Sequence, residues 1–233
     1  MSKIGIIGAM QSEITLFCKV FNAAEKNVPG VYEGAFCGHE IFVCQSGVGK
    51  VNAAAATQKL IDFCKVEYII NSGVAGGICR KLSTLDIAVS EKLTYHDFVQ
   101  IEFLKTNPPY TDVFYADERL LTLAKSACEK VSASLCSKGE KGFSHLAGMI
   151  VSGDCFVSDS AKVSELQNKY NALCTEMEGA AIAHIAISNK VPFVVIRAIS
   201  DFADEEAEMS FETLVQIAAD RAANIVSEII KEI

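Results

Sequence analysis

Four carboxylates stand where apolar runs end, and one arginine stands inside such a run. Glu13 closes the stretch Gly8-Ala9-Met10-Gln11-Ser12-Glu13 behind the run 3–8, and Glu176 and Glu178 flank Met177 in Cys174-Thr175-Glu176-Met177-Glu178-Gly179-Ala180. Asp201 follows Ser200 after the run 191–199, in which Arg197 is the lone charge. Carboxyl groups in unlike surroundings can divide into a proton donor and a proton acceptor. An arginine inside a buried strand requires an anionic or polar partner. Arg197, both glutamates and Asp201 therefore read as one polar site. A plainer reading stands beside it: acids favour the first turn of a helix through its dipole, and Arg197 can pair with Glu176 or Glu178 as structure alone.

The elements that must position these groups alternate. Short Ile- and Val-rich runs at 3–8, 41–45, 68–71, 87–89, 149–151 and 193–196 suit strands buried on both faces. Segments of helical spacing lie between them at 51–65, 116–132, 159–170 and 178–189, the last stopped by Pro192. From a cap at Ser210, a final helix sets Phe211, Leu214, Val215, Ala218, Ala222, Ile225, Val226 and Ile229 on one face. This order predicts one α/β domain spanning 1–233, with ligands gathering just beyond the strands.

Glycine clusters occupy those places, at Ser46-Gly47-Val48-Gly49-Lys50 and at Ser72-Gly73-Val74-Ala75-Gly76-Gly77. Each is also what a strand-to-helix turn needs with nothing bound. Gly47 to Lys50 lacks the earlier glycine of a phosphate-binding loop, and no GxGxxG opens a strand–helix unit, so ATP and NAD are disfavoured. Phe156, in Ser152-Gly153-Asp154-Cys155-Phe156-Val157, suits a flat ligand stacked on its ring, or the core.

A formal charge of −8, without a Lys/Arg cluster, makes nucleic acid an unlikely partner. The nine cysteines contain no CxxC and sit mostly in apolar runs, which suits free buried thiols in a reducing compartment. No run reaches the ~18 apolar residues of a membrane span, and the apolar stretch at 4–10 is too short for a signal core. A cytoplasmic location is the expectation. The four histidines show no metal spacing, and His184 on an Ala-rich helix reads as a satisfied core residue; neither metal nor cofactor is expected.

The blocks KIGIIGAM at 3–10, NSGVAGG at 71–77, YHD at 95–97, IVSGDCF at 150–156, TEMEGAAIAH at 175–184 and VPFVVIRAISD at 191–201 resemble the 5'-methylthioadenosine/S-adenosylhomocysteine nucleosidases of the nucleoside phosphorylase superfamily. The resemblance implies a three-layer α/β/α sandwich around a central mixed β-sheet, and a homodimer whose partner subunit closes the 5' pocket. It implies hydrolysis of the N-glycosidic bond of 5'-methylthioadenosine, S-adenosylhomocysteine and 5'-deoxyadenosine, releasing adenine in methionine salvage. Asp201, oriented by Ser200, would bond the adenine N7 and exocyclic amine, Phe156 would stack on the base and the Val157 backbone would read its edge. Glu178 and the Met177 backbone would hold the ribose hydroxyls. Glu13, supported by Arg197, would position the attacking water, and Met10 would line the thioether side. Val74, Ala75, Gly76, Glu176 and Phe211 complete the implied substrate contacts, and Phe103 and Pro109 would reach across the dimer.

These residue types suit that reaction. Cleavage leaves positive charge on the sugar and negative charge on the purine, so a base-side acid and a sugar-side anion both help. A free Asp titrates near 3.9, so Asp201 must be raised by its pocket to donate a proton, whereas Glu13 must accept one from water. Two departures from the family pattern are Val74, where a small hydroxyl residue is expected, and Phe202, bulkier than expected. A phosphorylase of the same fold would hold phosphate with arginines in the first two strand loops, which offer none here. Aminofutalosine is an alternative substrate, and a non-catalytic ligand-binding relative is an alternative role.

Overall fold

The computed structural model describes residues 1–202 and 211–233, with side chains up to Ser200 and from Thr213 onward. The expected cap Ser210 lies outside the described residues. The chain runs β1 (Lys3–Gly8), α1 (Gln11–Val20), β2 (Ala24–Glu25), β3 (Val31–Phe36), β4 (His39–Gln45), α2 (Lys50–Lys59) and β5 (Tyr68–Gly77). It continues through β6 (Ile87–Tyr95), β7 (Phe114–Tyr115), α3 (Glu118–Ser137), β8 (His145–Ser152), α4 (Ser160–Tyr170), β9 (Cys174–Glu176), α5 (Gly179–Ser188), β10 (Phe193–Phe202) and α6 (Phe211–Lys231).

All strands join one mixed sheet. From one edge the order is β2-β3-β4-β1-β5-β10-β6-β8-β9, with β7 beside β6. β4, β1, β5 and β10 are parallel, and β10 meets β6 antiparallel. β6, β8 and β9 run parallel to one another, and β9 returns to pair antiparallel with Gly76 and Gly77 of β5. This half of the sheet thus closes on itself, which brings β5, β9 and β10 around one space.

Helices cover both faces, giving the α/β/α sandwich. α2 and α5 pack together over one face, where Ala53, Ala56, Ala180, Ala183 and Ala186 are buried against the sheet. α1, α3 and α6 cover the other through Ile14, Phe17, Leu120, Ala124, Ala222 and Ile225. α5 (GAAIAHIAIS) is apolar nearly all round, as a helix enclosed on all sides must be. Asp117 and Asp159 cap α3 and α4, accepting from the N–H groups of Leu120 at 2.9 Å and Ala161 at 3.2 Å.

Two departures from the sequence reading bear on the site. The run expected to end at residue 71 continues as strand to Gly77, because β10 and β9 supply ladder partners to its glycine-rich half. The strand at the run 191–199 extends to Phe202, so Arg197 stands inside it as expected, while Ser200 stands on the strand rather than beyond it. The short strands β2, β3 and β7 and the helix α1 were not among the expected elements; each is short or lacks a long apolar run.

Candidate active site

The site begins with Glu13, the third residue of α1, which is buried. Its Oε2 accepts from the N–H groups of Ala9 at 2.7 Å and Met10 at 3.0 Å, the fold-back of a capping glutamate. Its Oε1 accepts from the Val74 N–H on β5 at 3.2 Å. Three backbone donors from two elements therefore aim this carboxylate. β5 can approach only because residue 73 is glycine: a Cβ there would stand 2.6 Å from Glu13 Oε1.

Arg197 is 2% exposed. Its Nη2 donates to Glu176 Oε2 at 2.5 Å and to Asn71 Oδ1 at 2.6 Å, and lies 3.9 Å from Glu178 Oε2. The resemblance implied support of Glu13 by Arg197; the direct partner of the guanidinium is instead Glu176, and Glu13 is held by backbone. Geometry explains the difference. Glu176, the last residue of β9, faces the start of α5 and also accepts from the N–H groups of Glu178 at 3.0 Å and Gly179 at 2.7 Å and from the Ser152 hydroxyl. A carboxylate at a helix N-terminus that also needs a counter-charge is the natural partner of a buried guanidinium.

Glu178 carries the unbalanced charge. Burial pushes its carboxyl up to about 7, and the Glu176 charge adds to this; Arg197 and the Gly49 N–H oppose it, and Glu13 adds a further push upward. Burial works against the Arg197 charge too, but Glu176, Glu178 and Glu13 outweigh it and hold the guanidinium protonated. With three carboxylates around one cation, the acid least engaged by donors keeps its proton most readily.

These groups border a cavity of about 210 Å³. Met10, Glu13, Val74, Ala75 and Gly76 line it from the α1 and β5 side. Phe156, Val157, Glu176, Met177, Glu178 and Ser200 line the remainder. Phe156 is 77% exposed, which removes the core reading of that ring. Ser200 is buried and its hydroxyl donates to the Ala75 carbonyl at 3.2 Å. Arg197 stands behind the lining. The side chains of Asp201 and Phe211 lie outside the described residues. Phe103 and Pro109 lie on the segment around a 3-10 turn, Ile101–Lys105, and do not line the cavity within one chain.

Ala9, Val48, Cys155 and Thr175 also line the cavity and were not singled out. Each adjoins a residue that was, so position beside Met10, Gly49, Phe156 and Glu176 was the available signal. Asn71 was missed as well, although a polar residue ending an apolar run marks a buried hydrogen bond; its Nδ2 donates to the Ile7 carbonyl at 2.9 Å while its oxygen takes Arg197. His184 has a partner as expected, its Nδ1 lying 3.1 Å from the Tyr95 hydroxyl, but it is half-buried rather than in the core. All nine cysteines are free, but Cys37, Cys136 and Cys155 are exposed rather than buried. No described helix is long and apolar enough to cross a membrane.

Fold and site together define the class. The family model of the phosphorylase superfamily matches residues 3–231. Among solved structures, the chain is 34% identical to a 5'-methylthioadenosine/S-adenosylhomocysteine nucleosidase from Neisseria meningitidis, with all of both chains covered and a TM-score of 0.86. A Campylobacter jejuni protein of the same name matches at 29% identity and a TM-score of 0.88, again over all of both chains. A futalosine hydrolase from Helicobacter pylori matches at 32%, covering 100% of this chain and 98% of the other, with a TM-score of 0.85. The chain belongs to the phosphorylase superfamily and, within it, to the 5'-methylthioadenosine/S-adenosylhomocysteine nucleosidase family.

Proposed function

We propose that this chain hydrolyses the N-glycosidic bond of adenine nucleosides altered at the 5' position, with 5'-methylthioadenosine and S-adenosylhomocysteine as substrates and 5'-deoxyadenosine as a third. The observation that carries this reading is the charge of the cavity: its described lining includes Glu13, Glu176 and Glu178 and no Lys, Arg or His. Phosphate would meet repulsion there, whereas water needs only an acceptor.

In this reading the nucleoside lies with its base against Phe156 and its sugar hydroxyls on Glu178 and the Met177 backbone. Glu13, aimed by three backbone N–H groups, takes the proton of a water that attacks the anomeric carbon. Asp201, next to Ser200, donates the proton that lets adenine leave. The carboxylates also stabilise the positive charge that develops on the sugar. No step calls for a metal or cofactor. Free cysteines suit a cytoplasmic setting, and the products suit methionine salvage.

A homodimer belongs to the same reading. Phe98, Val99, Phe103 and Tyr110 are large apolar residues, 44%, 88%, 58% and 68% exposed, on one segment; a second copy of the chain would cover them and bring Phe103 and Pro109 to the 5' side. Similarity to a protein named futalosine hydrolase supports a futalosine-type 5' group as the alternative, for which aminofutalosine is the nucleoside to test.

The test is chromatography of the products formed from 5'-methylthioadenosine. Adenine and free methylthioribose should appear at the same rate with and without phosphate. Release that requires phosphate and yields a sugar 1-phosphate would overturn the reading. Comparing the four nucleosides by kcat/KM then ranks the 5' groups.

A further inference from the structure

Gly47-Val48-Gly49-Lys50 and the block Tyr95-His96-Asp97 take no direct part in the chemistry above, yet they meet beside it. The segment between β4 and α2 reaches the cavity with Val48 and presents the Gly49 N–H to Glu178 Oε1 at 2.8 Å. Among the described residues this is the one hydrogen bond that the Glu178 carboxylate receives. Gly49 adopts a φ of +94°, open to glycine and strained for other residues. Its own covalent geometry does not hold it there.

The next residue does. Lys50 N–H donates to Asp154 Oδ1 at 2.8 Å, and its Nζ donates to Asp97 Oδ1 and Oδ2 at 2.6 and 2.7 Å. Asp154 N–H in turn donates to Asp97 Oδ2 at 2.8 Å. One aspartate beyond β6 thus ties the segment before α2 to the segment after β8. Lys50 is not among the residues that line the cavity.

We propose that Lys50, Asp97 and Asp154 are positioning residues for the sugar-side carboxylate: they clamp the 46–49 segment so that the Gly49 N–H stays on Glu178. The proposal rests on the reading of Glu178 as the group that holds the ribose hydroxyls. A donor fixed on a carboxylate favours its charged form, and the charged form accepts from two hydroxyls. The other charges facing Glu178 are Glu176 on β9, Arg197 on β10 and Glu13 on α1, with Asp201 also carried by β10. The clamp itself faces the Tyr95 ring, 5.5 Å from Lys50 Nζ, and His96 beside Asp97, which in turn faces Lys162. Burial opposes the Asp97 charge, but the bonds from Lys50 and the Asp154 N–H outweigh it and hold this carboxyl below its ordinary value. The clamp therefore keeps its charges while Glu178 titrates.

The experiment follows the Glu178 carboxyl carbon by NMR in the full-length protein labelled at glutamate, assigned with Glu178→Gln. In Lys50→Met its titration midpoint should rise by about one pH unit, the worth of a charge-assisted hydrogen bond, and KM for 5'-methylthioadenosine near neutral pH should rise about fivefold and recover at higher pH with kcat little changed. Lys50→Arg, which keeps a cation on Asp97, should restore most of both, and Asp97→Asn should move the midpoint in the same direction if Lys50→Met does not fold. A midpoint unmoved in the folded variants, or moved equally in Lys50→Arg and Lys50→Met, overturns the proposal. Wild-type protein that releases no adenine overturns the functional reading instead, and the carbon titration still decides the clamp.

Discussion

Glu178 holds a proton that an ordinary glutamate would have lost, and this has a measurable consequence. Its carboxyl titrates at about 7 in the folded chain against an ordinary value of 4.5, so folding favours its neutral form. That contribution is fully present below about 4.5 and is lost as pH rises through 7. Glu178→Gln cannot ionise, so its melting temperature relative to wild type should climb between pH 5 and pH 8, by the equivalent of up to about 3 kcal/mol, as read by thermal unfolding of the ligand-free proteins. A constant difference across that range would show that Glu178 is not the group that titrates. The same substitution should weaken nucleoside binding, since an amide is a poorer acceptor for hydroxyls than a carboxylate. Charges were the legible part of the site at this scale. Glu13, Glu178 and Arg197 stand out because a charge in apolar surroundings breaks the pattern, whereas Val48, Thr175 and Cys155 fit theirs and become site residues only through contact.

The start of α5 is where elements are joined most tightly around the site. Ser152, at the end of β8, donates its hydroxyl to Glu176 and accepts from the Ala180 N–H at 2.8 Å, linking strand, carboxylate and helix terminus. Ser152→Ala would leave a buried N–H and part of a buried carboxylate without a partner, at a cost of about 1–3 kcal/mol. Urea unfolding should show this as a lower midpoint with an unchanged slope, and an unaltered midpoint would mean that water replaces the hydroxyl. The helices around the site were readable from spacing, 159–170 and 178–189 falling within a residue of α4 and α5. The full reach of β5 was not. Glycine lowers strand propensity, and the partners that overcome it, β9 and the far end of β10, come from about 100 residues or more along the chain.

For the molecule as a whole, the closed half of the sheet explains why one cavity draws residues from α1, β5, β9 and β10 at once. The proposed dimer would finish that cavity. If Phe103 of a second copy covers the 5' side, light scattering should give twice the chain mass of 25.1 kDa. Phe103→Ala should then raise KM for 5'-methylthioadenosine several-fold more than it lowers kcat, because lost apolar cover weakens binding of the 5' group before chemistry. A monomer by light scattering, or a Phe103→Ala variant with unchanged KM, would remove the partner from the site.

The amino-acid order alone determined the alternation of buried strands and helices, the α/β fold class and the places where acids interrupt apolar runs, because burial and helical or strand periodicity act over neighbouring residues. Its blocks were enough to mark the family. Only the tertiary structure decided who pairs with whom: Arg197 with Glu176 and Asn71, Glu13 with three backbone N–H groups, Lys50 with Asp97, and Glu178 with the Gly49 N–H. Those choices follow from distance and competition among several carboxylates for one guanidinium. Such competition is settled by the three-dimensional closure of the sheet, which no local spacing encodes.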